Sequence, residues 1–221
     1  MALILNIDTA LDTASICLVE DGVTTGFLDN SSQKDHAAWL HSAIADIFRS
    51  AKKKVRDLSA VAVNVGPGSY TGLRIGLASA KGLCYALNCP LIGVQSTEVL
   101  ASAVKDKAED LIIPLIDARR REVFTAVYDS VMRVKNSTYA LILQPGCFDH
   151  FLDEHKIIFC GNAVEKSKQF ISHRNAHFSS ILGDARQLSA ISELRFSQNA
   201  FTDLSYSEPF YLKDFQSSPG K

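Results

Sequence analysis

Apolar residues run without a break from Leu3 to Ile7 and stop at Asp8, the pattern of a short strand buried on both faces. Ala14 to Val19 forms a second such run. Asp21-Gly22 is a hairpin turn signal, and Val23 to Leu28 reads as the third strand. From His36 the period changes, because Ala37, Leu40, Ile44, Ile47 and Phe48 fall on one face of a helix. The pattern then predicts a strand over 60–65, a helix over 70–87, a strand over 91–94 and a helix over 97–104.

The second half opens in the same way. Leu111 to Ile116 is an apolar run ending in Asp117, followed by strands over 122–128 and 139–143. A short helix over 148–152, a strand over 157–160 and a helix over 164–171 complete the set. Laying Asp8 over Asp117 matches Ile-Asp to Ile-Asp, each followed by a turn and an apolar strand. The chain is therefore expected to be α/β, a duplication of βββαβα units with mixed sheets. Two such lobes facing each other are the architecture of actin-like and sugar-kinase-like proteins, the ASKHA (ribonuclease H-like) class. The charged segment Lys105–Asp110 suits a linker, which divides the chain into lobes 1–104 and 105–221.

Charge narrows the function classes. With 23 Lys+Arg against 24 Asp+Glu, the chain lacks the basic excess of a protein that grips RNA alone, so any RNA role is shared with a partner. The five cysteines are odd in number and form no CxxC pair. Cys84 and Cys89 lack the second pair that a zinc ribbon would need, so buried free thiols are expected. No stretch reaches the ~18 apolar residues of a membrane span, and the N-terminus has no basic leader, so the expectation is a soluble, cytoplasmic protein.

The strongest local signal is Gly66-Pro67-Gly68-Ser69-Tyr70-Thr71-Gly72-Leu73-Arg74-Ile75-Gly76, continuing to Ala80. Its glycines permit a tight strand-to-helix turn, and Ser69 could cap the helix. It reads as a structural turn or as a ligand loop; the Gly-Lys-[Ser/Thr] of a P-loop is absent. Gly72, Gly76 and Ala80 recur every four residues and leave one helical face nearly bare, although Gly costs a helix about 1 kcal/mol relative to Ala. Something must approach that face, either a neighbour within the fold or another chain. Trp39 lies off the main apolar stripe of its own helix, as partial core or as partner surface. Lys52-Lys53-Lys54 reads as a solvated helix end, His36 and His41 as surface residues, and Arg119 as an ion-pair residue or an anion contact.

The glycine motif resembles the signature of the TsaB (YeaZ) family. The resemblance extends to Ile7-Asp8-Thr9, Pro90–Val94, Ile116-Asp117-Ala118-Arg119 with Glu122-Val123, and Pro209 with Tyr211-Leu212-Lys213. It also extends to the catalytic relative TsaD, where the segment after Ile-Gly-Val reads Asn-His-x-Glu-x-His and its two histidines bind a metal. Here that register is Gln95-Ser96-Thr97-Glu98-Val99-Leu100, so Ser96 and Leu100 replace both ligands and Glu98 is expected to be solvated. Phosphotransferases of this fold use Asp-x-Gly turns, and Asp8-Thr9-Ala10 and Asp117-Ala118-Arg119 lack that glycine.

The resemblance implies a non-catalytic subunit of tRNA threonylcarbamoyladenosine synthesis. Such a subunit pairs with a TsaD-like catalytic chain and a TsaE-like ATPase, meets tRNA only through the complex, and pairs with itself when alone. It would carry no cofactor or metal of its own, with a nucleotide at most at the heterodimer interface. Its expected partner surface comprises Trp39, Ser69, Tyr70, Gly72, Leu73, Gly76 and Ala80; Asp8, Gly66, Pro67, Gly68, Arg74, Asp117 and Arg119 are signature positions. The competing reading is a stand-alone hydrolase, peptidase or phosphotransferase of the same fold.

Overall fold

A computed structural model describes residues 2–31 and 36–212, with the side chains of His36 and Ala37 outside the described residues. The reading of His36 and the Lys213 end of the Pro-x-Tyr-Leu-Lys element therefore lie outside what is described. The first sheet is built from β1 (Leu3–Asp8), β2 (Ala14–Glu20), β3 (Val23–Asn30), β4 (Ala60–Gly66) and β5 (Leu91–Gln95), in the order β3-β2-β1-β4-β5. The second is built from β6 (Leu111–Asp117), β7 (Glu122–Asp129), β8 (Val134–Ile142), β9 (Ile157–Cys160) and β10 (Ala176–Phe178), in the order β10-β9-β6-β7-β8. The two orders are the same list, β10 standing for β5 and β8 for β3. In both, the first strand pairs antiparallel with the second and parallel with the fourth. Gly66 and Gly161, at the ends of the fourth strands, share a positive φ of +108° and +107°.

The strand pattern explains the layers. On one face of β1, Leu3, Leu5 and Ile7 join Ile16, Leu18, Val61 and Val63 in a core roofed by α1 (His36–Ser50) and α2 (Tyr70–Leu87). On the other, Ile4, Ala60, Ala62, Ile92 and Val94 pack under α3 (Ser96–Ser102) and α6 (Ala185–Ser197). The remaining short helices, α4 (Asp149–Leu152) and α5 (Val164–Ser167), belong to the second half. Helix α3 joins the halves, since Val99 faces the first sheet while Leu100, Ala101 and Val104 pack with Ile112, Ile116 and Tyr128 of the second.

Four elements depart from the sequence pattern. Strand β8 begins at Val134 rather than 139, because its outer half is an exposed, polar edge with no alternation to read. The helix expected over 164–171 ends at Ser167. Helix α6 and strand β10 were not expected at all. Helix α6 packs on β1, β2, β4 and β5, and beyond it Thr202 N donates to Leu91 O while Phe210 N donates to Val65 O at 2.7 Å. Residues 185–210 sit on the first sheet, apart from the second half with which the sequence division grouped them. The inward face of α6 mixes apolar Ala185, Leu188 and Ile191 with two serines, one of which is fixed by its partner: Ser192 Oγ donates to buried Asn6 Oδ1 at 2.6 Å, so an apolar residue there would strand that oxygen.

Candidate interaction surface around the glycine-marked helix

The turn from β4 into α2 is shaped by what presses against it. Gly66 lies at φ +108°, and a Cβ there would fall 2.8 Å from Leu73 Cδ1 and 3.2 Å from the Phe210 carbonyl oxygen. Ser69 N donates to Ala10 O at 2.7 Å, and Ser69 Oγ accepts from Gly72 N at 3.3 Å, which caps the helix as its sequence suggests. Thr9 Oγ1 donates to Gly72 O at 2.7 Å. A Cβ at Gly68 would collide with the Ala10 carbonyl, one at Gly72 with the Thr9 carbonyl, and one at Gly76 with Thr9 Oγ1. The bare face of α2 is thus seated on the β1–β2 turn of its own sheet.

This corrects the partner surface expected from sequence. Gly72, Leu73, Gly76 and Ala80 are buried within the lobe, because the small residues exist to let the helix reach Thr9. Of the other residues expected there, Ser69 is exposed, and Tyr70 and Trp39 are half-buried, Trp39 packing at the edge of the α1–α2 core. The outward face of α2 carries instead Thr71, Arg74, Ala78, Gly82 and Tyr85, spaced three or four apart. Gly82 has open space where a Cβ would go, and Tyr85 is 83% exposed.

At the start of that face two distant motifs meet. Arg74 Cζ lies 4.0 Å over the Tyr70 ring, Arg74 Nε donates to Tyr211 OH at 3.1 Å, and the Tyr70 and Tyr211 rings are 5.6 Å apart. Lys81 Nζ anchors the same returning segment through Ser205 O at 3.2 Å and Ser207 O at 3.1 Å.

Beneath the turn lies a buried polar chain. Asp8 Oδ1 accepts from Ala10 N and from Asn64 Nδ2, both at 3.0 Å. Asn64 Oδ1 accepts from Gly66 N at 3.0 Å and from Ser96 Oγ at 2.7 Å. Burial pushes the Asp8 carboxyl up to about 6, against the pull of the Ala10 and Asn64 hydrogen bonds. Asp117, at the matching strand end, takes the same bond from the residue two ahead, Arg119 N at 2.7 Å. It is exposed, however, and its ion pair is made by Lys166 at 2.5 Å, leaving exposed Arg119 at φ +68° on the turn. Asp8 is a buried structural hub, and Asp117 is a surface residue.

Ser96 and Leu100, expected from the sequence to stand where a catalytic relative has metal ligands, are both built into the fold. Ser96 is spent on Asn64, and Leu100 sits in the apolar cluster with Ile112 and Ile116. Among the described residues no group of three or more His, Cys, Asp or Glu side chains could hold a metal ion. Glu98 is not solvated as expected: it pairs with Arg195 at 2.5 Å, with side chains only 23% and 29% exposed. Burial raises its carboxyl, and Arg195 partly offsets this. The pair borders a cleft of about 440 Å³ between the sheets, lined also by Gln95, Tyr128 and Thr138. Thr97 Oγ1 hydrogen-bonds both Tyr128 OH at 3.1 Å and Thr138 Oγ1 at 2.9 Å, and burial pushes Tyr128 up to about 12. No spacing in the sequence joins Glu98 to Arg195, since their link depends on α6. The signal that could have found α6 is its capping box, in which Asp184 accepts from Arg186 N at 2.8 Å and donates its own N–H to Gln187 at 3.0 Å.

The family model described as TsaD, tRNA N6-adenosine threonylcarbamoyltransferase, matches residues 20–217. The tRNA threonylcarbamoyladenosine biosynthesis protein TsaB of Bacillus subtilis is 36% identical over 125 residues, covering 57% of this chain and 54% of that protein. The chain spans about half the length of the curated TsaB relatives it matches first. YeaZ from Pseudomonas aeruginosa superposes with a TM-score of 0.83 at 23% identity, over 96% of this chain and 100% of that one. A polyphosphate/ATP-glucomannokinase from an Arthrobacter strain follows at TM-score 0.52 and 11% identity, over 89% of this chain and all of that one, which extends the likeness to the actin-like, sugar-kinase fold. No helix among the described residues is long and apolar enough to cross a membrane. By its match over residues 20–217 and its TsaB-named relatives, the chain belongs to the TsaD family, alongside its TsaB (YeaZ) members.

Proposed function

We propose that the chain is a non-catalytic subunit in the synthesis of threonylcarbamoyladenosine in tRNA, and that it acts by docking on a TsaD-like catalytic chain. That chain would transfer threonylcarbamoyl from its adenylate to the adenosine next to the anticodon of ANN-decoding tRNAs. The observation that carries the reading is the use of α2. Gly72 and Gly76 are consumed in closing the lobe, while its outward face presents small residues at Ala78 and Gly82 beside the 83% exposed Tyr85. Small side chains let a partner helix approach closely, and an exposed tyrosine is an interface anchor. The docking surface is this outward face with the Trp39 edge of α1. The same patch presented twice makes a two-fold pair when no partner is present.

Support for a non-catalytic role comes from Ser96 and Leu100, whose side chains are committed to the hydrogen-bond chain and to the core. The reading assigns the chain no metal and no cofactor of its own, puts any nucleotide at the seam with the catalytic chain, and brings tRNA and a TsaE-like ATPase in through the complex in the cytoplasm. A stand-alone hydrolase, peptidase or phosphotransferase is not favoured by the TsaB-named relatives and the TsaD family match. The test is reconstitution with a TsaD-like chain, a TsaE-like ATPase, tRNA and threonylcarbamoyl-adenylate. Modified adenosine should form only when this chain is present, and modification by this chain without the catalytic one would overturn the proposal.

A further inference from the structure

The C-terminal end of α2 carries a second feature, unrelated to docking. Asn88 takes the left-handed conformation (φ 52°, ψ 42°), and Cys89 N donates to Cys84 O at 3.1 Å. This is the six-to-one bond of a Schellman motif, which brings the side chain three residues before the helix cap against the one two residues beyond it. Here both side chains are thiols, so the motif sets one cysteine against the other. Cys84 is buried and its Sγ donates to Pro90 O at 3.4 Å, whereas Cys89 is partly open to solvent. One thiol is therefore reachable from outside, with the second buried at the position the helix-end motif sets behind it.

We propose that Cys84 and Cys89 form a reversible oxidation site, in which Cys89 is the peroxide-reactive thiol and Cys84 the resolving one. The Cys89 thiolate attacks one oxygen of hydrogen peroxide; an S–O bond forms, the O–O bond breaks and hydroxide leaves, taking up a proton as water. The resulting sulfenic acid is attacked by the Cys84 sulfur, which forms the S–S bond and expels a second water. In sum, two thiols and one peroxide become one disulfide and two waters. The sulfurs give up two electrons and the peroxide takes them. A dithiol reductant reverses the reaction by exchange.

The remaining cysteines set the contrast. Burial pushes the thiols of Cys17, Cys147 and Cys160 up, so each stays protonated and slow to react. Cys89 is instead shifted down and Cys84 up, because the two thiols neighbour each other. Cys147 is also partly exposed, so it serves as an internal control for accessibility without a neighbouring thiol.

The experiment uses the folded, reduced full chain treated with hydrogen peroxide, then alkylated in denaturant and mapped by mass. Both thiols lie in one tryptic peptide, between Lys81 and Lys105. That peptide should lose both alkylation sites and two hydrogens, and recover them after dithiothreitol. Cys147 should stay fully alkylated at the same peroxide dose. In Cys84→Ser, dimedone should capture a sulfenic acid on Cys89, and in Cys89→Ser the Cys84 thiol should remain reduced. Oxidation that settles first on Cys147, or a peptide that gains oxygen without losing two hydrogens, would overturn the proposal. The wild-type map decides even where a serine variant fails to fold.

Discussion

Thr9 Oγ1 donates to the carbonyl of Gly72 at 2.7 Å, and the Thr9 carbonyl itself fills the space a side chain at Gly72 would need. A residue at the end of β1 thus sets how closely α2 may lie on the sheet. Gly72→Ala must move either the helix or the β1–β2 turn, and neither is the loose end of a side chain. It should destabilise the protein by about 2–3 kcal/mol, the cost of overpacking a filled site. Gly82 has open space around its missing Cβ, so Gly82→Ala should stabilise by roughly 1 kcal/mol through helix propensity alone. Urea unfolding of the two variants should move in opposite directions; equal effects would mean that the helix is not seated on Thr9.

Asp8 makes stability depend on pH in an unusual sense. Its carboxyl stands at 3.8 unfolded and about 6 folded, so the folded state binds the proton more tightly. The stability it contributes is full below about 4 and is lost as pH rises through about 6, by up to about 3 kcal/mol. Asp8→Asn keeps an acceptor for Ala10 N and removes the titration. Unfolding free energies at several pH values between 4 and 7 should show the wild type losing its Asp8 contribution and Asp8→Asn lacking that slope. Parallel curves would show that Asp8 is not buried as described.

The contrast between α2 and α6 shows where the sequence was legible. Helix α2 was readable to its ends, Tyr70 and Leu87, because a glycine turn, a capping serine and an apolar stripe agreed. Helix α6 was not, because Ser189 and Ser192 occupy its inward face and one of them answers Asn6, 186 residues away. The glycine stripe itself was plain, but periodicity reveals a bare face without revealing what fills it. Thr9 is 63 residues from Gly72, and only the folded sheet brings the two together. The Asp8–Asp117 repeat was visible as a pattern, yet Asn64 and Ser96 bury the first while Lys166 holds the second at the surface.

Arg195 joins α6 to Glu98 at 2.5 Å and also donates to the Gly93 carbonyl. With side chains 29% and 23% exposed, the pair is partly screened, so its coupling should be well short of a fully buried one. Arg195→Met leaves Glu98 without its partner and should cost about 2 kcal/mol, whereas adding Glu98→Gln should recover part of it. A double-mutant cycle by chemical denaturation should give a coupling of about 1 kcal/mol. Strict additivity would mean that α6 is held by its apolar contacts alone.

The docking proposal separates from the fold by a pair of substitutions about half a turn apart on α2. Gly76 faces Thr9 and Val63, so Gly76→Glu forces a carboxylate into a filled, apolar space, and unpaired charge there costs several kcal/mol. The variant should lose its cooperative melt, partner or no partner. Ala78 lies on the exposed face, so Ala78→Glu should leave the melting curve of the isolated chain within about 0.5 kcal/mol of wild type. At a helix–helix seam the same carboxylate would be desolvated without a counter-charge. An interface of micromolar strength holds only about 8 kcal/mol, so losing several of them should abolish binding in calorimetry against a TsaD-like chain. Tyr85→Ala, which removes the exposed anchor, should weaken binding by about 2 kcal/mol and leave the fold intact. Full affinity in Ala78→Glu would move the partner to another face of the lobe, while a lost melt in that variant would show that the outward face of α2 is part of the core.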